Sequence, residues 1–339
     1  MQTKHVAYSI LELAIVSKGQ SLLETFNHSL KLAQAAEKSG YKRFWLTEHH
    51  NSDAIGSSAT SILIGKIAEG TERIRVGSGG IMLPNHSPLI VAEQFGTLGV
   101  LHPNRIDLGL GRAPGTDRDT ASAIRSDFYQ AAMSFPNDVQ EIQNYFSEEN
   151  ASEKVRATVA EGVNVPLYIL GSSVESAHLA AKKGLPYAFA SHFATPQLFT
   201  ALDIYRSEFR PSEVLEKPYT FAGVNVVIAD TDAEAEFIAT SLYQMIINLL
   251  SGKRDYMQPP FEITDEFKEL CQHPAVQKML KYTFVGSKAT VKKKVESFLE
   301  ETNVDELIAV TNIYDGKARI KSYQLFAEVM QELNTAAVV

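Results

Sequence analysis

The sequence predicts an α/β protein built as a (β/α)8 TIM barrel, with an insertion near residues 251–286. Three observations point there. Short apolar runs alternate with amphipathic helical stretches almost from end to end, giving eight β-then-α units. Four of the runs end in polar or glycine-rich clusters: Thr47-Glu-His-His50, Gly77-Ser-Gly-Gly80, Gly109-Leu-Gly-Arg112 and Gly171-Ser-Ser173. A barrel carries its functional groups where strands end and loops begin, so clusters at one end of successive strands suit it. The 339 residues also fall in the range that such a barrel fills as one unit, so a single domain over 1–339 is expected. A doubly wound open sheet is the competing arrangement.

The elements follow in order. The first strand spans 5–10. Ser21 and Glu24 form a capping box, and Leu22, Phe26, Leu30 and Ala33 continue at helical spacing until Gly40. A second strand over 44–47 leads to a helix over 57–69, closed by Gly70. The third strand is 74–78, followed by a helix within 89–101. In the fourth, Ile106, Leu108 and Leu110 alternate with Asp107, Gly109 and Gly111, and small residues on one face suit a crowded barrel interior. Residues 118–160 are polar and mostly helical. Strand five (167–170) precedes a helix over 175–183, and strand six (187–190) a helix over 196–209. Strand seven (221–229) is followed by an apolar helix over 233–250. Gly252, Pro259, Pro260, Pro274 and Gly286 break the rhythm across 251–286, which reads as an excursion or lid. A helix over 287–299, strand eight over 306–311 and a helix over 318–333 complete the pattern.

Composition excludes several classes. Apolar residues make up 45% and charged residues 21%, which is incompatible with a mainly disordered chain. There are 32 basic and 40 acidic residues, a formal charge of −8, and no basic run, which argues against nucleic acid as the main partner. Cys271 is the lone cysteine, so no intrachain disulfide framework exists. The first ten residues lack a signal-peptide pattern, and no run of about 18 apolar residues occurs, so a cytoplasmic protein is expected.

Each strand-end residue has a structural and a functional reading. His49 and His50 could move protons near neutral pH. Neighbours on a strand face opposite ways, so both cannot line one pocket if the strand continues. Otherwise they are surface or packing histidines. Glu48, His49, His50 and Asp53 are also metal-ligand types, with His86 and His102 as distant partners, but no helical His-x-x-x-His pair is present. Gly109 to Gly115 is not the dinucleotide fingerprint, because Pro114 stands where a glycine is needed. Arg112 could grip a phosphate or carboxylate, or simply pair with Asp117 or Asp119. Ser172 and Glu175 could form a capping box; the same helix start, with free amides and hydroxyls, could bind an anion. Ser78-Gly79-Gly80 is either a tight turn or a place where a planar ring rests against the strand end.

Together these residues resemble the bacterial luciferase-like flavin monooxygenase family, in its single-component branch of luciferase-like oxidoreductases. The resemblance is carried by Phe44-Trp-Leu-Thr-Glu-His-His50, by Ile74-Arg-Val-Gly-Ser-Gly-Gly-Ile-Met-Leu-Pro-Asn-His-Ser-Pro88, by Glu93-Gln-Phe-Gly-Thr-Leu98, by the stretch from Arg105 to Asp117, and by Thr311-Asn-Ile-Tyr-Asp315. It implies reduced FMN at the C-terminal mouth of the barrel. Dioxygen then gives a flavin C4a-hydroperoxide that oxygenates a small organic substrate. By the same resemblance His49 and Glu48 are the catalytic residues, with His49 beside the ring. Gly79 and Gly80 match a small pair under it that often carries a non-proline cis peptide. Arg112, Ser173 and Ser176 match the phosphate contacts, with the backbone of Ser172 nearby. A separate NAD(P)H:flavin reductase would supply the reduced flavin, and a homodimer would form through helices around strands two and three. Relatives often carry an Asp and a Pro where this chain reads Leu11-Glu-Leu-Ala-Ile15, so the loop that shapes the substrate side differs here. The alternatives are an F420-dependent oxidoreductase on the same fold, a non-catalytic FMN-binding protein, and a metal-dependent barrel hydrolase.

Overall fold

The structure is a computed structural model that describes residues 4–336. Apolar runs rich in Leu, Ile and Val become parallel strands, and the amphipathic stretches between them become the helices that return the chain. The order is β1 (Ala7–Glu12), α1 (Leu22–Lys38), β2 (Arg43–Leu46), α2 (Thr60–Glu69), β3 (Arg75–Met82), α3 (Pro88–Leu101), β4 (Ile106–Gly111), α4 (Arg118–Ile124) and α5 (Phe128–Phe146). It continues with β5 (Leu167–Gly171), α6 (Val174–Lys183), β6 (Tyr187–Phe189), α7 (Leu198–Glu208), β7 (Thr220–Ala229) and α8 (Asp232–Leu250). The last elements are α9 (Asp265–Gln272), α10 (Pro274–Leu280), β8 (Thr283–Ser287), α11 (Lys288–Thr302), β9 (Glu306–Val310) and α12 (Gly316–Ala336).

Strands β1 to β7 and β9 close into an eight-stranded parallel barrel, with β6 joined to β7 and β9 to β1. This is the (β/α)8 architecture expected. The capping box of α1 is formed in both directions, between Ser21 and Glu24. Element ends shift by a few residues, as in β1, read at 5–10 and found at Ala7–Glu12, and two departures from the sequence reading go further. The stretch 251–286 is not wholly an excursion, because β8 pairs with the far half of β7, Asn225 to Ala229. Phe284 packs with Phe298, and Val285 with the α8 side. This short strand is hidden in a segment rich in helix breakers. Strand β3 runs past Ser78 to Met82, and it slips register against β4 between Ser78 and Ile81.

Period-two alternation separates two layers. On β2, Phe44 and Leu46 face the helices, while Arg43 and Trp45 face the interior. The middle of the barrel holds Leu11, Trp45, Tyr168, Ala188, Phe221, Ile308 and Val310. Below them, at the N-terminal rim, lies a buried charge cluster. Arg43 Nη1 donates to Asp107 Oδ2 and to Tyr168 Oη, each at 2.7 Å, and its Nε donates to Glu306 Oε1 at 3.0 Å. Arg75 reaches Asp107 from the rim, and Trp45 Nε1 donates to Asp107 Oδ2 at 3.0 Å. Burial opposes charge on Arg43, but Glu306 and Asp107 outweigh it and raise its pKa. This cluster fills the N-terminal rim with buried, mutually paired charges. No helix among the described residues is long and apolar enough to cross a membrane.

Candidate active site

At the C-terminal mouth the chain after β2 divides its polar residues between two directions. Glu48 is buried and accepts four groups of donors. Met82 N–H donates to Oε2, Asn85 Nδ2 to Oε1 and His50 Nε2 to Oε1, each at 2.9 Å. His86 Nε2 lies 2.9 Å from both oxygens. Burial alone would raise the Glu48 pKa. The hydrogen bonds from His50, His86 and Asn85 overcome it and hold the carboxyl at about 2. Glu48 is thus an anion that ties the loop after β2 to the loop after β3.

His49 turns the other way. Its Nδ1 lies 3.1 Å from the carbonyl oxygen of Gly115, and its main-chain N–H donates to Ser57 O at 3.3 Å. Burial lowers its pKa, the Gly115 carbonyl opposing. His49 and His50 do diverge, although strand geometry is not the cause, because β2 ends at Leu46. His50 is drawn to Glu48 and His49 to Gly115.

The Gly79–Gly80 peptide is cis and lies inside β3, at the register slip. A Cβ on Gly79 would stand 2.5 Å from Leu11 Cδ1, and one on Gly80 would stand 2.7 Å from the Gly109 carbonyl oxygen. Backbone therefore demands glycine at Gly80, while a side chain at Gly79 would need Leu11 and Trp45 to give way; the two glycines lie within the strand and not in a turn.

Arg112 follows β4 and is exposed. Its guanidinium makes no hydrogen bond or ion pair within the described residues, so the alternative pairing with Asp117 or Asp119 is absent. Asp117 instead caps α4 through Thr120 and meets Arg254 Nη2 at 3.1 Å. The register of β4 with β5, Leu110 beside Ile169, carries Arg112 toward Gly171 and the start of α6. The Glu175 carboxyl, bonded first to Ser173, also feels Arg112 and is held low. The Ser172–Glu175 capping box does not form. Ser173, one residue later, is the N-cap, and its side chain makes no cap bond to the turn it opens. Ser176 Oγ donates to Ser173 O at 2.7 Å and lies 3.0 Å from Tyr187 Oη.

The segment after α8 reaches the same end of the barrel. Met257 exchanges main-chain hydrogen bonds with Val16 and Lys18 in the loop after β1, and Arg254 reaches Asp117. Buried polar atoms without partners also gather beyond the strand ends: Asn85 Oδ1, His192 Nδ1, Thr311 Oγ1 and Asn312 Oδ1. Sequence reasoning missed His192, although Ala190-Ser-His-Phe193 directly follows strand six and has the same strand-end signature as the others. Among the described residues no three His, Cys, Asp or Glu side chains gather as a metal site. The Nε2 atoms of His50 and His86 are spent on Glu48.

Comparison with known proteins places this geometry. The model of the luciferase-like monooxygenase family matches residues 9–306. The chain belongs to that family. A luciferase-like monooxygenase of Escherichia coli strain K12 is 47% identical over 333 residues, covering 98% of this chain and 99% of its own. The crystal structure of apo-MsnO8 superposes with a TM-score of 0.87 at 32% identity, covering 96% of this chain and 99% of that one. A type II Baeyer–Villiger monooxygenase, the oxygenating constituent of 3,6-diketocamphane monooxygenase from Pseudomonas putida, was solved in complex with FMN. It shares the fold at a TM-score of 0.73 and 17% identity, covering 96% of this chain and 97% of that one.

Proposed function

We propose that this luciferase-like monooxygenase takes reduced FMN from a separate NAD(P)H:flavin reductase and uses dioxygen to oxygenate a small organic substrate. One arrangement carries the reading. An exposed guanidinium with no partner among the described residues, Arg112, stands by register toward the start of α6, on the rim that also holds His49 and the Gly79–Gly80 wall. That combination of cation, helix N-terminus and side-chain-free surface suits a phosphate joined to a flat ring. The unpartnered atoms of His192, Thr311 and Asn312 fit a ligand with several polar edges.

Bound reduced flavin supplies the electrons that activate dioxygen. The protein's own residues do the rest. Arg112, the Ser173 hydroxyl and the backbone of Ser172 hold the phosphate, and the Ser176 hydroxyl joins them by exchanging its hydrogen bond to Ser173 O for one to the phosphate. Gly79 and Gly80 leave a smooth wall. His49 moves a proton at Nε2, and Glu48 fixes the loop that presents it. Arg254 and Met257 draw the segment after α8 over the mouth, which helps to exclude water. The decisive experiment is an anaerobic titration with reduced FMN, followed by mixing with oxygenated buffer. Saturable binding, then a transient absorbance unlike either reduced or oxidised flavin, supports the reading. Failure to bind reduced and oxidised FMN overturns it and turns the search to F420.

The same reading includes a second copy of the chain. Large apolar side chains are exposed on α2 and α3: Ile62 (72%), Ile90 (47%), Val100 (59%) and Leu101 (65%). Sedimentation should give twice the 37.4 kDa chain mass. A monomer at micromolar concentration refutes the dimer.

A further inference from the structure

We infer that His192 is fixed as a neutral imidazole with its proton on Nε2, and that it donates this hydrogen bond to the flavin ring opposite a His49 fixed in the reverse tautomer. The inference rests on the flavin reading above, and it adds a second histidine with the opposite task.

The position comes first. Alternation on β7 turns Phe221 and Asn225 into the barrel and Ala222 and Val224 toward the helices. Gly223 therefore faces inward, and a Cβ there would collide with His192 Nδ1. The ring fills the space that Gly223 leaves on the inner wall. It is anchored on both sides: Ser191 Oγ donates to Gly223 O, and Asn225 Nδ2 donates to the His192 carbonyl, each at 2.6 Å. These bonds fix the main chain that carries the ring.

The tautomers follow from what each Nδ1 meets. His49 Nδ1 faces the Gly115 carbonyl, which can only accept, so this nitrogen carries the proton and Nε2 presents a lone pair. His192 Nδ1 is buried against Gly223 with no partner. A proton there would be a buried donor without an acceptor. The proton belongs on Nε2, which has no partner among the described residues and is not among the buried unpartnered atoms. Burial, and then repulsion from His49, push the His192 pKa down to about 3, so the ring stays neutral. The mouth therefore offers an acceptor at His49 and a donor at His192.

The test is histidine-selective nitrogen-15 NMR of the full chain at neutral pH, assigned with His49→Ala and His192→Gln. The expected spectrum shows His192 protonated at Nε2 alone and His49 at Nδ1 alone, with the His192 Nε2 signal moving when oxidised FMN is added. His192→Phe should weaken FMN about tenfold. His192→Gln, which keeps an N–H near the Nε2 position, should stay within about threefold. A His192 imidazolium or an Nδ1–H form overturns the inference, as does an unchanged FMN affinity in a folded His192→Phe. If the unmodified chain binds no flavin, the function proposed above fails and the donation to flavin fails with it; the tautomer pair is then judged by the spectrum alone.

Discussion

His86 Nε2 sits 2.9 Å from each oxygen of Glu48, so one carboxylate from the loop after β2 holds a side chain from the loop after β3. With His50, Asn85 and the Met82 amide on the same anion, Glu48 is the knot of this side of the mouth. Its folded pKa of about 2 lies below the ordinary 4.5. The stability it contributes is therefore complete above pH 4.5 and is lost as the pH falls through about 2. The size is about 3 kcal/mol, at 1.36 kcal/mol per pKa unit. Glu48→Gln should cost about that at pH 7, and the gap to the unmodified protein should close in acid. Urea melts across this pH range provide the check; a gap that stays constant down to pH 2 refutes it.

Arg43 is the second electrostatic keystone, at the opposite rim. It is the buried cation between Asp107 and Glu306, and both carboxylates are fully shielded from water. Arg43→Ala should destabilise the fold by about 3–5 kcal/mol, because two buried anions lose their shared partner. Arg43→Lys should recover only part, since Arg43 reaches Glu306 from Nε and Asp107 and Tyr168 from Nη1, a spread that one ammonium nitrogen does not reproduce. Equal denaturation midpoints for Arg43→Ala and the unmodified protein would refute this. Flavin affinity, measured in folded variant, should stay unchanged, since the cluster lies below the interior apolar layer.

The barrel was legible because alternation and helical spacing are local signals that tertiary packing reinforced. Where packing overrode the local signal, the reading failed. Gly79 and Gly80 look like a strand's end, yet β3 runs on to Met82 because Ile81 and Met82 pair with Leu110 and Gly111 of β4 beyond the register slip. Thr283–Ser287 is too short to stand out after Pro274 and contains Gly286 itself, and only its pairing with β7 makes it a strand. Arg112 was found from its place at a strand end. That Asp117 would turn to Arg254 instead depended on a segment 137 residues away. His192 needed no hidden information; its strand-end position was readable, but its role depends on Gly223, which touches it only in the folded chain.

If Arg112 reads the phosphate, its removal must act on FMN and not on riboflavin. Arg112→Ala should weaken FMN by about ten- to a hundredfold, the worth of a charge-assisted hydrogen bond, and leave riboflavin affinity unchanged. The FMN loss should shrink as salt is added, because Arg112 is exposed and its charge is screened. Fluorescence titration of both flavins at two ionic strengths decides it. Equal losses for the two ligands would mean that Arg112 supports the mouth's shape and does not meet the phosphate.

Gly171 tests the other half of that site without touching a charge. A Cβ at Gly171 would collide with both Cβ and Oγ of Ser176, in the first turn of α6. Moving Ser176 aside would cost its hydrogen bond to Ser173 O at 2.7 Å and its contact with Tyr187 Oη at 3.0 Å. Gly171→Ala should cost about 1–3 kcal/mol of stability, as overpacking does. By pushing α6 away from the end of β5 it should also weaken FMN more than riboflavin. Ser176→Gly removes the colliding atoms, so the double variant should regain stability that neither single change predicts, a coupling readable from a double-mutant cycle. Additive losses would mean that the strain is relieved elsewhere and that the β5–α6 junction does not set the geometry of the phosphate site.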